Sequence, residues 1–310
     1  MNPLPFVVVG ESLVDVVVST DGQISHAVGG SPMNVAVGLA RLDVPVLLIT
    51  RLGDDEHGRW ISEHVRSSGV QLSDSSVVPG SKTSTATARL DEDNSAAYEF
   101  DLVWDLEHHQ LPETVALHVG SLGASLLPGR HAVLDLVRQA EQDDIFVSYD
   151  PNIRSALVDD TARAWDELVE VAARSRLVKA SEEDFHILRP GESVEDLAKG
   201  LLSGTDTELV IVTRGAQGSL AFAEGLRVEA PAPRTDVVDT VGAGDSFMAA
   251  ALAILDDWDL PKDGPGSLSA LDADHVRVLL HGAMSAAALT CSRRGANPPT
   301  RLELPTTWPV

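Results

Sequence analysis

Asp239-Thr240-Val241-Gly242-Ala243-Gly244-Asp245-Ser246-Phe247 joins a glycine turn to an apolar, alanine-rich run that continues to Leu255. Two glycines and an alanine let backbone N–H groups turn toward one point, and the run beyond them predicts a helix beginning there. The first turn of a helix has unpaired N–H donors and the positive end of its dipole, so it is a place for phosphate. Asp245 falls in that turn, where a carboxylate can face the same point as the amides. Amides that take up developing negative charge, beside a carboxylate that removes a proton from a hydroxyl, are the parts phosphoryl transfer needs. A plain capped helix after a glycine turn has the same local pattern, so the rest of the chain has to be weighed with it.

Outward from this stretch, strands and helices alternate. Apolar runs at Phe6–Val9, Leu13–Val18, Val46–Thr50, Leu117–Gly120, Ile145–Tyr149, Leu177–Lys179 and Leu209–Thr213 read as strands. Asn34–Arg41, Gly58–Ser67, Gly129–Gln142, Thr161–Ser175, Ser193–Ser203 and Val276–Thr290 read as helices. The alternation predicts a three-layer, doubly wound, mostly parallel α/β sheet with helices on both faces. Ligands of such sheets gather at the carboxyl ends of the strands. Thr83–Leu90 and Ala97–Val103, joined by a turn at Asp91-Glu92-Asp93-Asn94, predict a hairpin outside that sheet, and Gly215–Val228 a second hairpin-like pair. Asp256–Asp272, rich in Asp, Gly and Pro, reads as a surface loop.

Composition narrows the function. The chain has 310 residues, 44% hydrophobic and 23% charged, enough for a large core. Its formal net charge is −24, which argues against nucleic acid or an anionic membrane as partner. A phosphate site must then rely on local amides and a few placed cations. One cysteine, Cys291, excludes an internal disulfide and a cysteine-rich zinc site, and reads as a small packed residue. The ten histidines have no zinc-ligand spacing. The N-terminus enters an apolar strand at once, and no run reaches the ~18 apolar residues of a membrane span. A soluble, cytoplasmic enzyme is expected. No Gly-x-x-x-x-Gly-Lys-Ser/Thr occurs, and the first strand does not run into Gly-x-Gly-x-x-Gly, which sets aside P-loop kinases and dinucleotide-dependent oxidoreductases.

The opening nonapeptide closely resembles the C-terminal signature of the ribokinase-like, or PfkB, carbohydrate kinases. Gly29-Gly30-Ser31-Pro32-Met33-Asn34-Val35-Ala36-Val37-Gly38-Leu39-Ala40-Arg41-Leu42 resembles their N-terminal signature. Tyr149–Arg154, Val178–Asp184, Val212–Gly218 and Cys291–Pro299 are similar to further segments, most nearly of the fructokinase branch. The resemblance covers essentially the whole chain. It implies a single ribokinase-like domain over residues 1–310, with a small β-sheet lid inserted as segments of about 12–30 and 83–105. It implies transfer of the γ-phosphoryl group of ATP, with Mg²⁺, to a primary hydroxyl of a small sugar, fructose first. Ribokinase, 2-keto-3-deoxygluconate kinase, nucleoside kinase and a non-catalytic sugar sensor stay as alternatives.

The resemblance gives Asp245 the role of base and the turn at Gly242, Ala243 and Gly244 that of anion hole. It implies sugar contacts for Asp15, Gly29, Gly30 and Asn34; independently, a carboxylate inside the apolar strand at Asp15 needs partners, and sugar hydroxyls suit it. Asn152 and Arg154 follow a strand at its carboxyl end, where the guanidinium fork could hold the sugar or the transferring group, or make an ordinary surface ion pair. Leu157-Val158 stands where the branch usually has Leu-Trp. Lys179, Ser181, Thr213, Gly215 and Gly218 are candidate nucleotide contacts. Ser181 and Asp184 occupy the places of a family Asn-x-x-Glu tied to magnesium, which both can reach through metal-bound water. Asp239, Val241 and Gly295 match positions that bind a monovalent cation, K⁺, although Pro299 replaces a serine there. The outer face of the 83–103 hairpin, offering Ala86, Ala88 and Ala97, is a candidate for pairing two subunits.

Overall fold

Phe6-Val7-Val8-Val9 is buried on both sides, and it is the strand around which the rest is arranged. Its side chains alternate between two cores: Phe6 and Val8 in one, Val7 and Val9 in the other. The computed structural model describes residues 3–90, 96–306 and 308–309, apart from the side chains of residues 90 and 96–98. The expected turn at 91–94 lies outside the described residues.

The elements are, in order, β1 (Phe6–Val9), β2 (Leu13–Val18), β3 (Ile24–Gly29), α1 (Ser31–Arg41), β4 (Val46–Ile49), β5 (Leu52–Gly53), α2 (Glu56–Ser67), β6 (Gln71–Leu72) and β7 (Val77–Val78). Then come β8 (Ser84–Leu90), β9 (Ala96–Asp101), β10 (Ala116–Gly120), α3 (Arg130–Gln142), β11 (Phe146–Asp150), α4 (Thr161–Ala172), β12 (Leu177–Ser181), α5 (Glu182–Leu188) and α6 (Val194–Leu202). The chain closes with β13 (Leu209–Thr213), β14 (Ser219–Ala223), β15 (Leu226–Ala230), α7 (Ala243–Asp257) and α8 (Ala273–Cys291). Among the described residues no helix is long and apolar enough to cross a membrane.

Nine strands make one sheet in the order β15-β14-β13-β12-β11-β10-β1-β4-β6, parallel except for the β13-β14-β15 end. Residues of α1, α7 and α8 fill the core on one face, and residues of α3, α4, α5 and α6 the core on the other. This is the doubly wound α/β architecture expected. Strand order reverses between β1 and β10, so the crevice beyond their carboxyl ends is the place for a ligand.

Two packing features aim the ends of α1 and α7 at that crevice. Met248 to Leu255 of α7 are fully buried, an alanine-rich helix thin enough to lie between α1 and α8. A Cβ added at Gly38 of α1 would lie 2.5 Å from the Ala249 Cβ, so the two helices touch through a glycine. Their first turns therefore sit side by side.

A four-stranded sheet, β3-β2-β8-β9, stands apart from the main one. β3 was not expected; Ile24–Ala27 is exposed and carries no apolar run, so only its ladder to β2 defines it. The register pairs Asp15 with Ala86 and Val17 with Ala88, which puts both alanines on the Asp15 face, and both are buried. They are not on an outer face, which corrects that expectation; Ala97 pairs with Arg89, and its side chain lies outside the description. α5 was also unexpected: Ser181 is its N-cap and Asp184 its third residue, a reciprocal capping box.

Candidate active site

Asp245 lies in the first turn of α7 and is buried. Ser31 Oγ donates to its Oδ1 at 2.6 Å, and Asn34 Nδ2 donates to its Oδ2 at 2.8 Å. Both donors come from the first turn of α1, which begins at Gly30 with φ of 118°. A Cβ on Gly30 would meet the Glu11 carbonyl oxygen at 2.5 Å, so glycine lets α1 start hard against the end of β1. The carboxylate is held at both oxygens, and each keeps a lone pair for another donor. Asn34, expected as a sugar contact, here donates to the Asp245 carboxylate. Ser31 was not singled out from the sequence.

The turn before Asp245 leaves several backbone amides open. Gly242 has φ of 75°, and a Cβ there would sit 2.6 Å from the Ala296 Cβ. The Ala243 amide donates to the Thr240 carbonyl at 3.2 Å. The amides of Gly242, Gly244 and Asp245 have no protein acceptor among the described residues. The open donors thus reach one residue further into the helix than the glycines suggest.

Beneath the turn lies a buried ion pair. Lys179 Nζ donates to Asp150 Oδ2 at 2.8 Å, and the same ammonium lies 3.1 Å from where a Cβ on Gly244 would be. Burial works against the ammonium, but the Asp150 carboxylate, with Asp184 and Asp245 behind it, outweighs that and holds Lys179 above the usual lysine range. Burial pushes Asp150 up to about 6 despite Lys179. Asp150 Oδ1 is buried without a hydrogen-bond partner.

Asp184 accepts from Ser181 N and Oγ on one oxygen and from Ile153 N on the other, each at 2.7 Å. It ties the start of α5 to the loop after β11. On that loop Arg154 Nη1 donates to Asn152 Oδ1 at 2.8 Å, and Asn152 has φ of 38°. Arg154 is exposed, and its charge acts on Asp15 and on Glu11. Burial raises the Asp15 carboxyl while Arg154 pulls it back. Asp15 Oδ2 would be 2.3 Å from a Cβ on Gly29, so a side chain there would displace the carboxylate. Glu11, missed from sequence, is buried and accepts from Gly123 N at 2.7 Å; burial pushes it up to about 7.

The remaining candidates lie around this centre without bonding to it. Ser181 pairs with Thr213 at the carboxyl ends of β12 and β13. Gly215 and Gly218, with φ of 53° and 93°, form the turn that follows. Asp239 accepts from Gly295 N at 2.8 Å and from Val241 N at 3.1 Å, which hold its carboxyl below the usual range and bring two segments to one point. A separate cleft of about 950 Å³, lined by Arg174, Arg176, Lys199, Glu208 and Arg227, opens at the amino edge of the sheet, away from all of these. Its Arg176–Glu208 and Lys199–Glu195 charges pair with each other, so the chemistry belongs to the carboxyl edge.

A held carboxylate, open amides and a buried ammonium at one sheet edge define a phosphotransferase acting on a hydroxyl. The chain belongs to the pfkB family of carbohydrate kinases, whose model it matches over residues 5–301. It is 31% identical over 315 residues to "Fructokinase-1" of Oryza sativa subsp. japonica, covering 95% of this chain and 94% of the relative. It is 33% identical over 268 residues to a fructokinase of Salmonella typhimurium, covering 83% and 86%. In fold it is similar to a fructokinase with bound ATP from Xylella fastidiosa, with a TM-score of 0.80 at 23% identity over 94% and 93% of the chains. It is also similar to a fructokinase double mutant from Vibrio cholerae O395 bound to fructose, ADP and potassium ion, with a TM-score of 0.77 at 24% identity over 96% and 95%. The chain is a carbohydrate kinase.

Proposed function

We propose that the sugar is fructose and that Asp245 is the base that activates its primary hydroxyl. The hydroxyl donates to the free lone pair of a carboxylate oxygen already held by Ser31 or Asn34. As the hydroxyl oxygen bonds to the γ-phosphorus, its proton passes to Asp245, and the bond from that phosphorus to the β-phosphate oxygen breaks to release ADP. The open amides of Gly242, Gly244 and Asp245 receive the charge on the transferring group. Asp15 and Arg154 border the sugar; Arg154 already answers two carboxylates, Asp15 and Glu11, which favours a neutral sugar over an acidic one. The observation that carries the reading is the grip of α1 on Asp245 beside the open turn.

Among the described residues no group of three or more His, Cys, Asp or Glu side chains could hold a metal ion alone. The Asp184 carboxylate, held by Ser181 and the Ile153 amide, fits an acceptor for the water shell of Mg²⁺, an ion that keeps several waters. Mg²⁺, when bound with ATP, neutralises phosphate charge. Asp239, with the Val241 and Gly295 backbone, suits K⁺ next to the anion hole. The four-stranded sheet carrying Asp15 is read as a lid over the sugar in one domain, and its edge strand β3 is the surface through which a second copy would pair. A donor such as ATP supports a cytoplasmic location.

The test is sugar-dependent ADP release, with fructose, ribose, 2-keto-3-deoxygluconate, mannose and adenosine compared under the same ATP and Mg²⁺. Fructose should give the highest kcat/KM, by about tenfold or more. A higher value for ribose or the acid sugar would overturn the fructose assignment.

A further inference from the structure

We propose that Asp150 is a positioning residue, pinning the Lys179 ammonium against the glycine turn at the start of α7 so that it meets the γ-phosphoryl group of ATP. This rests on the kinase reading above. Lys179 and Asp150 are the most deeply buried ion pair among the described residues, with side-chain exposures of 5% and 1%. Stability does not explain the pair, because apolar side chains of the same volume fill such a space without the cost of stripping water from two charges. Asp150 adds to that cost by keeping Oδ1 buried and unbonded.

The pair makes sense by where it points. The Gly244 amide is open and the base follows it in the chain, and the ammonium sits 3.1 Å from the would-be Cβ of Gly244. The attacking hydroxyl must be at Asp245, so the phosphate nearest Gly244 is the one being transferred. Asp184 and Asp245 also act on Lys179, and without the direct bond from Asp150 the flexible ammonium could swing to either of them. His118, the other titratable group close by, is kept neutral by burial and by Lys179 itself, and does not compete. Asp150 is fully buried, so it reaches the nucleotide only through Lys179.

The test replaces both charges at once, Asp150→Leu with Lys179→Met, because removing a whole buried pair spares the fold where removing one partner need not. The double variant should melt within a few degrees of wild type. Calorimetric titration should find its Kd for ATP raised about tenfold or more and its Kd for ADP changed less than about threefold. Its kcat should fall by roughly 10²–10³. Asp150→Asn alone should lower kcat about tenfold with sugar KM within about threefold, and should have no further effect in a Lys179→Met background. Equal weakening of ATP and ADP, or a kcat within threefold of wild type, would overturn the proposal. Should the wild type bind ATP yet phosphorylate no sugar, the kinase reading falls, and the ATP-against-ADP comparison still decides the role of the pair.

Discussion

Glu11 is the residue whose charge state the fold disturbs most plainly within reach of the sugar loop. Its carboxyl shifts from 4.5 to about 7, because burial disfavours the charged form more than the Gly123 amide and Arg154 favour it. The folded state therefore binds the proton more tightly than the unfolded chain does. The stability this supplies is complete below about pH 4.5 and is lost as pH rises through about 7. Glu11→Gln resembles the protonated form and can still accept from Gly123. Against wild type it should be near neutral at pH 5 and more stable at pH 8, by up to about 3 kcal/mol. Urea midpoints of both proteins at the two pH values check this; a difference that does not change with pH would contradict it. No sequence pattern marks Glu11, and the motif that contains Asp150 does not reveal its burial, because the burial of each comes from neighbouring strands, β10 for one and β12 for the other. Asp245 was visible because its whole context, turn and helix start, is contiguous.

At the scale of elements, activity depends on α1 and α7 starting level with each other, and Gly38 against Ala249 sets their spacing. Gly38→Val should force the helices apart, costing about 1–3 kcal/mol and carrying Ser31 and Asn34 away from Asp245, so that kcat falls about tenfold or more. Ala249→Gly in the same chain should recover part of both losses. Unchanged kcat in the single variant would separate helix spacing from the grip on the base. The helices and buried strands were readable from periodicity, since β1, β11 and β13 are short apolar runs and α3, α4 and α6 are amphipathic. β3 and α5 were not, for opposite reasons. Ile24-Ser25-His26-Ala27 has no buried face, so only pairing makes it a strand. Glu182–Leu188 is seven residues long, and its capping box has the same four-residue frame as the metal-linked motif it was compared with.

For the whole molecule, a net charge of −24 is unusual for an enzyme that binds a polyanion. Self-repulsion opposes the compact state, and salt screens it as the Debye length falls from roughly 20 Å near 0.02 M to roughly 4 Å near 0.5 M. Tm should rise by a few degrees across that range of sodium chloride, chosen to leave the potassium question aside; a flat or falling Tm would mean the charges are locally compensated. In the same field, the proposed phosphate site relies on backbone amides and one paired lysine instead of a basic surface. All of this converges on one carboxylate. The decisive measurement is kcat of Asp245→Asn at saturating fructose and ATP, with fructose KM and Tm recorded beside it. A fall of roughly 10²–10⁴ with KM and Tm little changed is predicted, whereas activity within a few-fold of wild type would remove Asp245 as the base.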